Sequence, residues 1–148
     1  MKIVYVDMDD TICDFTAAFD RALSDNPAIK YPQSQYGFFE NLVPIDGAIE
    51  AVHKINQSDK YDVHILTAPS LRNPLCYTGK RVWVEKHLGY DFVQRLIISP
   101  DKSLLKGSFL VDDWISGRGQ EDFEGQLIQF GSKAFPDWQA VLKQFDCF

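Results

Sequence analysis

The sequence predicts an α/β fold: a Rossmann-like, doubly wound three-layer sandwich built on a mostly parallel five-stranded sheet. Two observations predict this fold class. Segments with the apolar periodicity of strands and of helices alternate along the 148 residues. In addition, several apolar runs end abruptly in an acid or a hydroxyl, at Asp7, Thr67 and Asp112. Functional residues collect at such positions because ligands bind outside the carboxyl ends of parallel strands.

The first half of the chain alternates strand and helix. An apolar run predicts a strand at residues 3–7, and helical periodicity follows at residues 15–23 and 47–56. A second buried strand is predicted at residues 62–67, before a proline that stops it. This order implies crossover connections between parallel strands.

Strands dominate the second half, once a helix at residues 79–88 has ended at Gly89, a residue that readily takes positive φ. A closing helix is predicted to begin at Pro136 and to run to residue 145. Right-handed crossovers force the strand order of such a sheet to reverse, and the reversal opens a crevice. The three remaining strands are predicted at residues 96–99, 109–112 and 127–130.

A short cap insertion after the first strand is predicted at about residues 25–43, where prolines and a glycine interrupt the alternation. We expect its aromatic residues to pack mainly onto the domain beside the crevice. The length of the chain suits one domain spanning residues 1–148, and no internal repeat is present.

Composition and charge narrow the class of protein. The N-terminus lacks the apolar core of a signal peptide, and no stretch approaches the roughly 20 apolar residues of a membrane span, which predicts a cytoplasmic protein without a membrane partner. The net charge of -6 argues against polymeric nucleic acid as a partner, because duplex binding needs many cationic contacts. Three widely spaced cysteines predict reduced thiols. The sequence leaves the oligomeric state open.

Acids gather after the first strand, at Asp7, Asp9 and Asp10, and again after a later strand, at Asp112 and Asp113. Like charges this close raise one another's pKa, so a fold that gathers them at the end of a buried strand normally holds a cation or a catalytic proton there. Solvated turns are the alternative reading of each group. Agreement among several strand ends favours a functional edge of the sheet.

Lys102 directly follows the predicted strand at residues 96–99, which places it at the same edge. Its rivals as a phosphate ligand are Lys80, Lys86 and Lys106, and of these Lys86 is expected to point away from the edge. Arg72 and Lys80 are candidate supporting charges.

These residues resemble a known family. The stretch DMDDT, which begins at Asp7, fits the DxDx[TV] signature of haloacid-dehalogenase-type phosphatases, with ILT as the second motif and LVDD as the acidic fourth. Within that superfamily the chain most resembles the 5'(3')-deoxyribonucleotidases. The segments that carry this resemblance are DMDDTICDF, PIDGAIEAV, KRVWVEKHLG, PDKSLLKGSFLVDD and GRGQE.

The resemblance implies a magnesium-dependent phosphatase that acts on a small phosphorylated substrate, a nucleoside 5'- or 3'-monophosphate, through an aspartyl-phosphate intermediate. It implies that Asp7 is the nucleophile and Asp9 the general acid and base. Mg²⁺ would be bound by the Asp7 carboxylate, the backbone carbonyl of Asp9 and Asp113, with Asp112 supporting the site. An all-oxygen set of this kind is what Mg²⁺ prefers in proteins.

The resemblance also implies that Thr67 and Lys102 hold the phosphate and that Phe15 lines the nucleoside pocket. Two departures from the family pattern stand out. The usual Thr-Ser-Pro is here Thr67, Ala68 and Pro69, which removes one hydroxyl, and the insertion is shorter than in vertebrate relatives.

Two alternatives to a nucleotidase remain open on the residues alone. The first is a phosphatase of the same type for another small phosphomonoester, because a short insertion need not recognise a base. The second is a receiver-like domain that binds phosphate and magnesium without being an enzyme. Asp9 distinguishes the second alternative, because a binding module needs no general acid two residues after the phosphorylated Asp7.

Overall fold

The computed structural model describes residues 1–148 and contains five strands and four α-helices, joined in part by 3-10 turns. None of the helices is both long enough and apolar enough to cross a bilayer. The strands and α-helices, in chain order, are β1 (Lys2–Val6), α1 (Phe15–Asp25), α2 (Ala48–Gln57), β2 (Tyr61–Thr67), α3 (Cys76–Leu88), β3 (Leu96–Ile98), β4 (Phe109–Asp112), β5 (Gln126–Gln129) and α4 (Trp138–Gln144). The 3-10 turns are Pro32–Ser34, Tyr90–Arg95, Lys102–Leu104 and Gln120–Asp122.

All five strands are parallel and lie in the order β3-β2-β1-β4-β5, which confirms the predicted fold class. The chain builds outward from β1 to β3 and then crosses to the other side of β1 for β4 and β5. Val6 therefore lies opposite Ile65 of β2 and Val111 of β4. The reversal of strand order falls between β1 and β4, so the ligand crevice of this fold lies beside the end of β1.

The two faces of the sheet carry cores of different size. Val4 and Val6 point into a cluster of 24 buried residues that includes the buried apolar side chains of α2, α3 and α4. Tyr5 points the opposite way, into a cluster of four buried residues with Leu66, Leu110 and Phe123. Successive strand residues alternate between faces, so β1 contributes to both cores. Burial on both faces fixes β1 as the central element of the fold.

The ends of several helices differ from the sequence prediction by a few residues. The closing helix begins at Trp138 and not at Pro136, because Asp137 is its N-cap and accepts a hydrogen bond from the backbone N–H of Ala140. Helix α3 begins at Cys76, three residues earlier than predicted. It ends at Gly89 with φ of 97°, as the sequence predicts.

Residues 25–43 begin at Asp25, the last residue of α1, and beyond it contain a single 3-10 turn, Pro32–Ser34, and no strand or α-helix. Phe39 of this segment is buried, and the ring of Phe38 lies 5.4 Å from that of Phe15 at the start of α1. The indole N–H of Trp83 donates to the carbonyl of Leu42 over 2.8 Å. Phe38 and Phe39 thus pack onto the sheet domain, beside the carboxyl edge, whereas Tyr36 of the same segment is exposed.

Candidate active site

The turn after β1 redirects the chain sharply away from the sheet. The carbonyl of Met8 accepts backbone hydrogen bonds from the N–H groups of residues 11–13 over 2.9 to 3.1 Å. Asp10 completes the turn in the left-handed region, with φ of 58°, a conformation that costs an L-residue roughly 1 kcal/mol or more. Asp7 and Asp9 are consequently held at the mouth of the crevice by the backbone of a tight turn.

Three carboxylates converge at this edge. One carboxylate oxygen from each of Asp7, Asp112 and Asp113 lies within 4.8 Å of the other two. The hydroxyl of Thr11 lies between two of them, 3.4 Å from Asp7 Oδ2 and 3.3 Å from Asp113 Oδ1. The structure therefore brings together the two acid groups that are remote in the sequence, because β1 and β4 are neighbours in the sheet.

Lys102 bridges two of these acids. Its Nζ donates to Asp7 Oδ1 over 2.8 Å and to Asp112 Oδ2 over 2.5 Å, and its side chain is buried. The backbone holds the lysine in place, since the N–H of Lys102 donates to the carbonyl of Arg118 over 2.7 Å. Gln120 adds a hydrogen bond from Nε2 to Asp112 Oδ2 over 3.2 Å.

The pKa values at this edge show that one lysine does not balance the acids. Burial raises the pKa of Asp113 to about 8, and the neighbouring Asp7 and Asp112 add to the shift. Burial and the charge of Asp7 also raise the pKa of Asp112, against the opposing effect of Lys102. Burial acts to lower the pKa of Lys102, but the two carboxylates outweigh it and the pKa is raised. The edge favours an additional positive charge.

Asp9 lies outside the group of three carboxylates and has its own lysine. Lys80 of α3 is fully buried, and its Nζ donates to Asp9 Oδ2 over 3.0 Å and to Thr67 Oγ1 over 2.6 Å. Burial raises the pKa of Asp9, Lys80 opposes that effect, and the charge of Asp7 adds to it. The side chain of Asp9 remains 30% exposed and borders the cavity described next.

A cavity of about 710 Å³ opens above these residues, large enough for a small organic phosphate. Asp7, Asp9 and Lys102 border it, together with Phe15 from α1. Phe15 also packs against Phe38 and Phe39, so only part of its ring faces the cavity. The proposed phosphate ligand Thr67 is buried at the end of β2, and its hydroxyl accepts from Lys80.

The other basic residues considered as phosphate ligands or supporting charges have different environments. Arg72 borders the cavity, but its guanidinium lies 4.4 Å from the centroid of the Tyr31 ring, and no ion pair joins it to an acid of the site. Lys86 is exposed on α3, as expected. Lys80, considered above as a rival phosphate ligand and as a supporting charge, contacts Asp9, whereas Lys102 contacts Asp7 and Asp112.

Comparison with known proteins matches this chain to one family of nucleotidases. The model of the family described as 5' nucleotidase, deoxy (pyrimidine), cytosolic type C protein matches residues 24–135. The cytosolic 5'(3')-deoxyribonucleotidase of Homo sapiens is 33% identical over 173 aligned positions, which cover 97% of this chain and 79% of the relative. The chain belongs to this 5'-nucleotidase family.

Two further relatives of this family member cover most of its length. A Vibrio phage KVP40 protein, provisionally named a 5'(3')-deoxyribonucleotidase, is 38% identical, with 95% of this chain and 82% of the relative covered. The mitochondrial 5'(3')-deoxyribonucleotidase of Mus musculus is 29% identical, with 94% and 71% covered. The family is of the haloacid-dehalogenase type, so the resemblance read from the motifs is confirmed. The protein is a phosphoric monoester hydrolase, which excludes the receiver-like alternative.

The donor set of this 5'-nucleotidase family member fits a hard cation. The converging atoms are carboxylate oxygens, which suit Mg²⁺ or Ca²⁺ better than the nitrogen and sulfur donors typical of zinc sites. The raised pKa values of Asp112 and Asp113 also fit a cation site. Repulsion between carboxylates causes part of these shifts, and a bound cation would relieve it.

Two residues of the site in this family member, Gln120 and Gly119, are not among those predicted from the sequence. Gln120 is buried and fixes Asp112, as described above. Gly119 has φ of 85°, and a Cβ there would lie 2.1 Å from Asp101 Oδ1, so the loop packs directly onto the turn that carries Lys102. Both lie in the GRGQE stretch, which contributes to the family resemblance. The GRGQE motif is therefore the sequence signal that could have indicated Gly119 and Gln120 as residues of the site.

Proposed function

We propose that this protein is a Mg²⁺-dependent phosphatase that hydrolyses nucleoside 5'- or 3'-monophosphates, deoxyribonucleotides among them, through an aspartyl phosphate. The observation that carries the proposal is the group formed by Asp7, Asp112 and Asp113 beside the buried Lys102 at the floor of a cavity. The nucleotide substrate is supported by the names of the human and murine relatives.

Asp7, Asp113 and the backbone carbonyl of Asp9 would hold the ion. Asp112 supports this set by fixing Lys102 on one side and the backbone N–H of Trp114 on the other, over 2.9 Å. When bound, Mg²⁺ screens the negative charge of the phosphate oxygens.

The first chemical step is the attack of an Asp7 oxygen on phosphorus. A bond forms between that oxygen and phosphorus, the bond from phosphorus to the ester oxygen breaks, and the electron pair leaves with the ester oxygen. Protonated Asp9 donates its proton to that oxygen and so releases the alcohol. The raised pKa of Asp9 favours the protonated form that this step requires.

The second step is the hydrolysis of the aspartyl phosphate. Asp9, now a carboxylate, accepts a proton from the attacking water, whose oxygen bonds to phosphorus while the bond to Asp7 breaks. Phosphate and free Asp7 are the products. The same side chain therefore serves as acid and then as base, which requires it to stay next to the cavity through both steps.

Lys102 and Thr67 bind the phosphate oxygens in this proposal. Lys102 lies beside the attacking group, because its Nζ donates to Asp7. The hydroxyl of Thr67 accepts from Lys80 and donates to the carbonyl of Ala68 over a long 3.4 Å, a bond that can be exchanged for one to a phosphate oxygen. Ala68 follows in place of the family's serine, so we expect phosphate affinity to depend strongly on these two residues.

The nucleoside would occupy the outer part of the cavity. We assign residues 25–43 as a short cap insertion within one domain, with Phe39 beside Phe15 on one wall. Trp114, which is 66% exposed, borders the cavity from the loop after β4. Aromatic faces on these walls suit a nucleobase.

Phosphate release from a panel of substrates tests this function. The panel contains deoxyribonucleoside and ribonucleoside 5'- and 3'-monophosphates and sugar phosphates, each with Mg²⁺ and with chelator. We expect Mg²⁺-dependent release from the nucleotides by the parent and by Asp20→Asn, an exposed acid on α1, and none by Asp7→Asn. Hydrolysis of sugar phosphates alone would retain the chemistry and reject the nucleotide, whereas chelator-resistant release by Asp7→Asn would reject the mechanism.

Binding has an independent readout in the same variants. Trp83 and Trp138 are buried, so the exposed Trp114 is the tryptophan that solvent reaches. We expect a nucleoside monophosphate to protect its fluorescence from acrylamide quenching in Asp7→Asn, and inorganic phosphate to protect it less.

A further inference from the structure

Lys80 is the charged side chain whose environment the mechanism above does not explain. It is fully buried on the inner face of α3, and removing a charge from water is costly unless partners compensate it. Each partner belongs to the site: Asp9 Oδ2 at 3.0 Å and Thr67 Oγ1 at 2.6 Å. The ring of Phe39 covers the ammonium from another side, 5.1 Å from its centroid.

The helix is shaped to bring Lys80 this close. Gly79 precedes it, and a Cβ at Gly79 would lie 3.1 Å from the Cβ of Phe39, so α3 approaches the insertion more closely than a larger residue would permit. A buried ion pair is weak evidence for stability, since packed apolar residues often do as well in its place. A structural role alone therefore leaves the choice of lysine unexplained.

We propose that Lys80 is a positioning residue for the proposed general acid and base: it holds the carboxylate of Asp9 at the cavity and aims the hydroxyl of Thr67 at the phosphate. This inference rests on the function proposed above and deepens it. The two buried lysines have separate partners: Lys102 contacts Asp7 and Asp112, whereas Lys80 contacts Asp9 and Thr67.

The geometry explains how one ammonium serves both groups. Lys80 donates to Asp9 Oδ2 and the thiol of Cys13 donates to Asp9 Oδ1 over 3.7 Å, yet the side chain of Asp9 stays 30% exposed beside the cavity. A carboxyl group held by these contacts keeps one orientation through both steps, as an acid in the first and a carboxylate in the second. Thr67 accepts from Lys80, so its O–H is directed to another acceptor; its bond to the carbonyl of Ala68 is long, at 3.4 Å, and can be exchanged for one to a phosphate oxygen.

The test uses the leaving group, because only a poor leaving group needs the proton of Asp9. We compare kcat/KM for a nucleoside 5'-monophosphate with kcat/KM for p-nitrophenyl phosphate. The nucleoside is a poor leaving group unless its oxygen is protonated, whereas p-nitrophenol leaves readily as a stable phenoxide. In Lys80→Met we expect the nucleotide value to fall about 100-fold, near the lower end of a general acid's contribution, and the aryl ester value to fall tenfold or less. The matched control is Lys86→Met on the exposed face of α3, which should leave both values unchanged.

A merely structural or phosphate-binding role would lower both values by the same factor, and that result would overturn the inference. Asp9→Asn should show the same preference for the aryl ester. Adding Lys80→Met to Asp9→Asn should not change the ratio of the two values any further, because the residue that Lys80 positions is already lost. A further fall in the ratio would also overturn the inference.

The double variant carries the test if Lys80→Met alone unfolds, since it leaves no unpaired buried charge at this contact. The outcome is also separable from the proposed function. If the parent hydrolyses sugar phosphates and no nucleotide, the substrate proposal fails, and the same ratio is measured with a sugar phosphate as the alkyl ester. If the parent hydrolyses neither class, both proposals are overturned.

Discussion

The two edges of the sheet treat their carboxylates in opposite ways. At the amino edge, Asp62 accepts a hydrogen bond from Arg95 and lies 3.1 Å from His64 Nε2. The bond from Arg95, and then the contact with His64, lower the pKa of Asp62. At the carboxyl edge, burial and neighbouring acids raise the pKa values of Asp112 and Asp113 instead. At the amino edge the charges form ion pairs that stabilise the fold. At the carboxyl edge the carboxylates repel one another, and a cation bound there can relieve that repulsion.

The largest expected effect at the carboxyl edge is on activity and not on folding. Asp7→Asn should lower phosphate release more than about 1,000-fold, because the attacking oxygen is lost. The free energy of unfolding should change little, since Lys102 keeps Asp112 as a partner and one like charge disappears. Urea unfolding and phosphate release measured on the same samples check this. A collapse of stability would show that this edge is structural after all.

Cation binding gives the next largest effect. Mg²⁺ at about 100 times its dissociation constant should raise the free energy of unfolding by about 2.7 kcal/mol, because the ion binds the folded state. Asp113→Asn should abolish most of this rise, since it removes one of the three converging carboxylates. Thermal unfolding with and without Mg²⁺ measures it, and Asp62→Asn at the amino edge is the matched control. An equal response to Mg²⁺ in both variants would place the ion elsewhere.

The amino edge should show the reverse pattern, in stability and with pH. Arg95→Met should cost about 1 kcal/mol at pH 7 without changing kcat, a modest value because the pair is partly exposed. The folded pKa of Asp62 is lowered, so its contribution is present above the unfolded value near 3.9 and is lost as pH falls through the folded pKa. Urea unfolding from pH 7 to pH 3 should show the two proteins converging in the acid range. A constant difference over that range would exclude this ion pair as the cause.

The smallest effect concerns a second unfavourable group beside the cavity. Gln33 Oε1 is the one buried side-chain oxygen or nitrogen without a hydrogen-bond partner, and Gln33 borders the cavity. Gln33→Met should leave the free energy of unfolding unchanged or raise it by up to about 1 kcal/mol, because no bond is lost and an unpaired group disappears. Gln120→Met, which removes a bond to Asp112 and one from the backbone N–H of Arg118, should lower it by about 1 kcal/mol or more. The denaturant midpoint of Gln120→Met should therefore fall, whereas that of Gln33→Met should stay level or rise.

The central features of the fold follow from local sequence. Apolar runs ending in Asp7, Thr67 and Asp112 predict parallel strands that end at one edge, since run length and the polar residue that ends it are read without tertiary knowledge. The start of α4 was misplaced because Pro136 and the capping residue Asp137 both signal a helix start, and the side-chain cap prevails.

Other parts of the site depend on contacts between distant segments. Lys80 lies on a helix whose residues carry no clear apolar face, so its inward direction depends on where α3 packs and not on its periodicity. The role of Gln120 is likewise not visible in local sequence, because the position of its loop depends on packing against the turn around Lys102. The convergence of Asp7 and Asp113 was accessible because strand order follows general rules of topology.

The pairing of β1 with β4 has a consequence for biosynthesis. Val6 meets Val111 across the sheet, so the segment that carries Asp7 leaves the ribosome long before its neighbour does. A nascent chain that ends before β4 has no partner on that side of β1 and cannot assemble the three acids. Turnover therefore cannot appear during refolding before β1 and β4 have paired, a contact between segments that lie far apart in the chain.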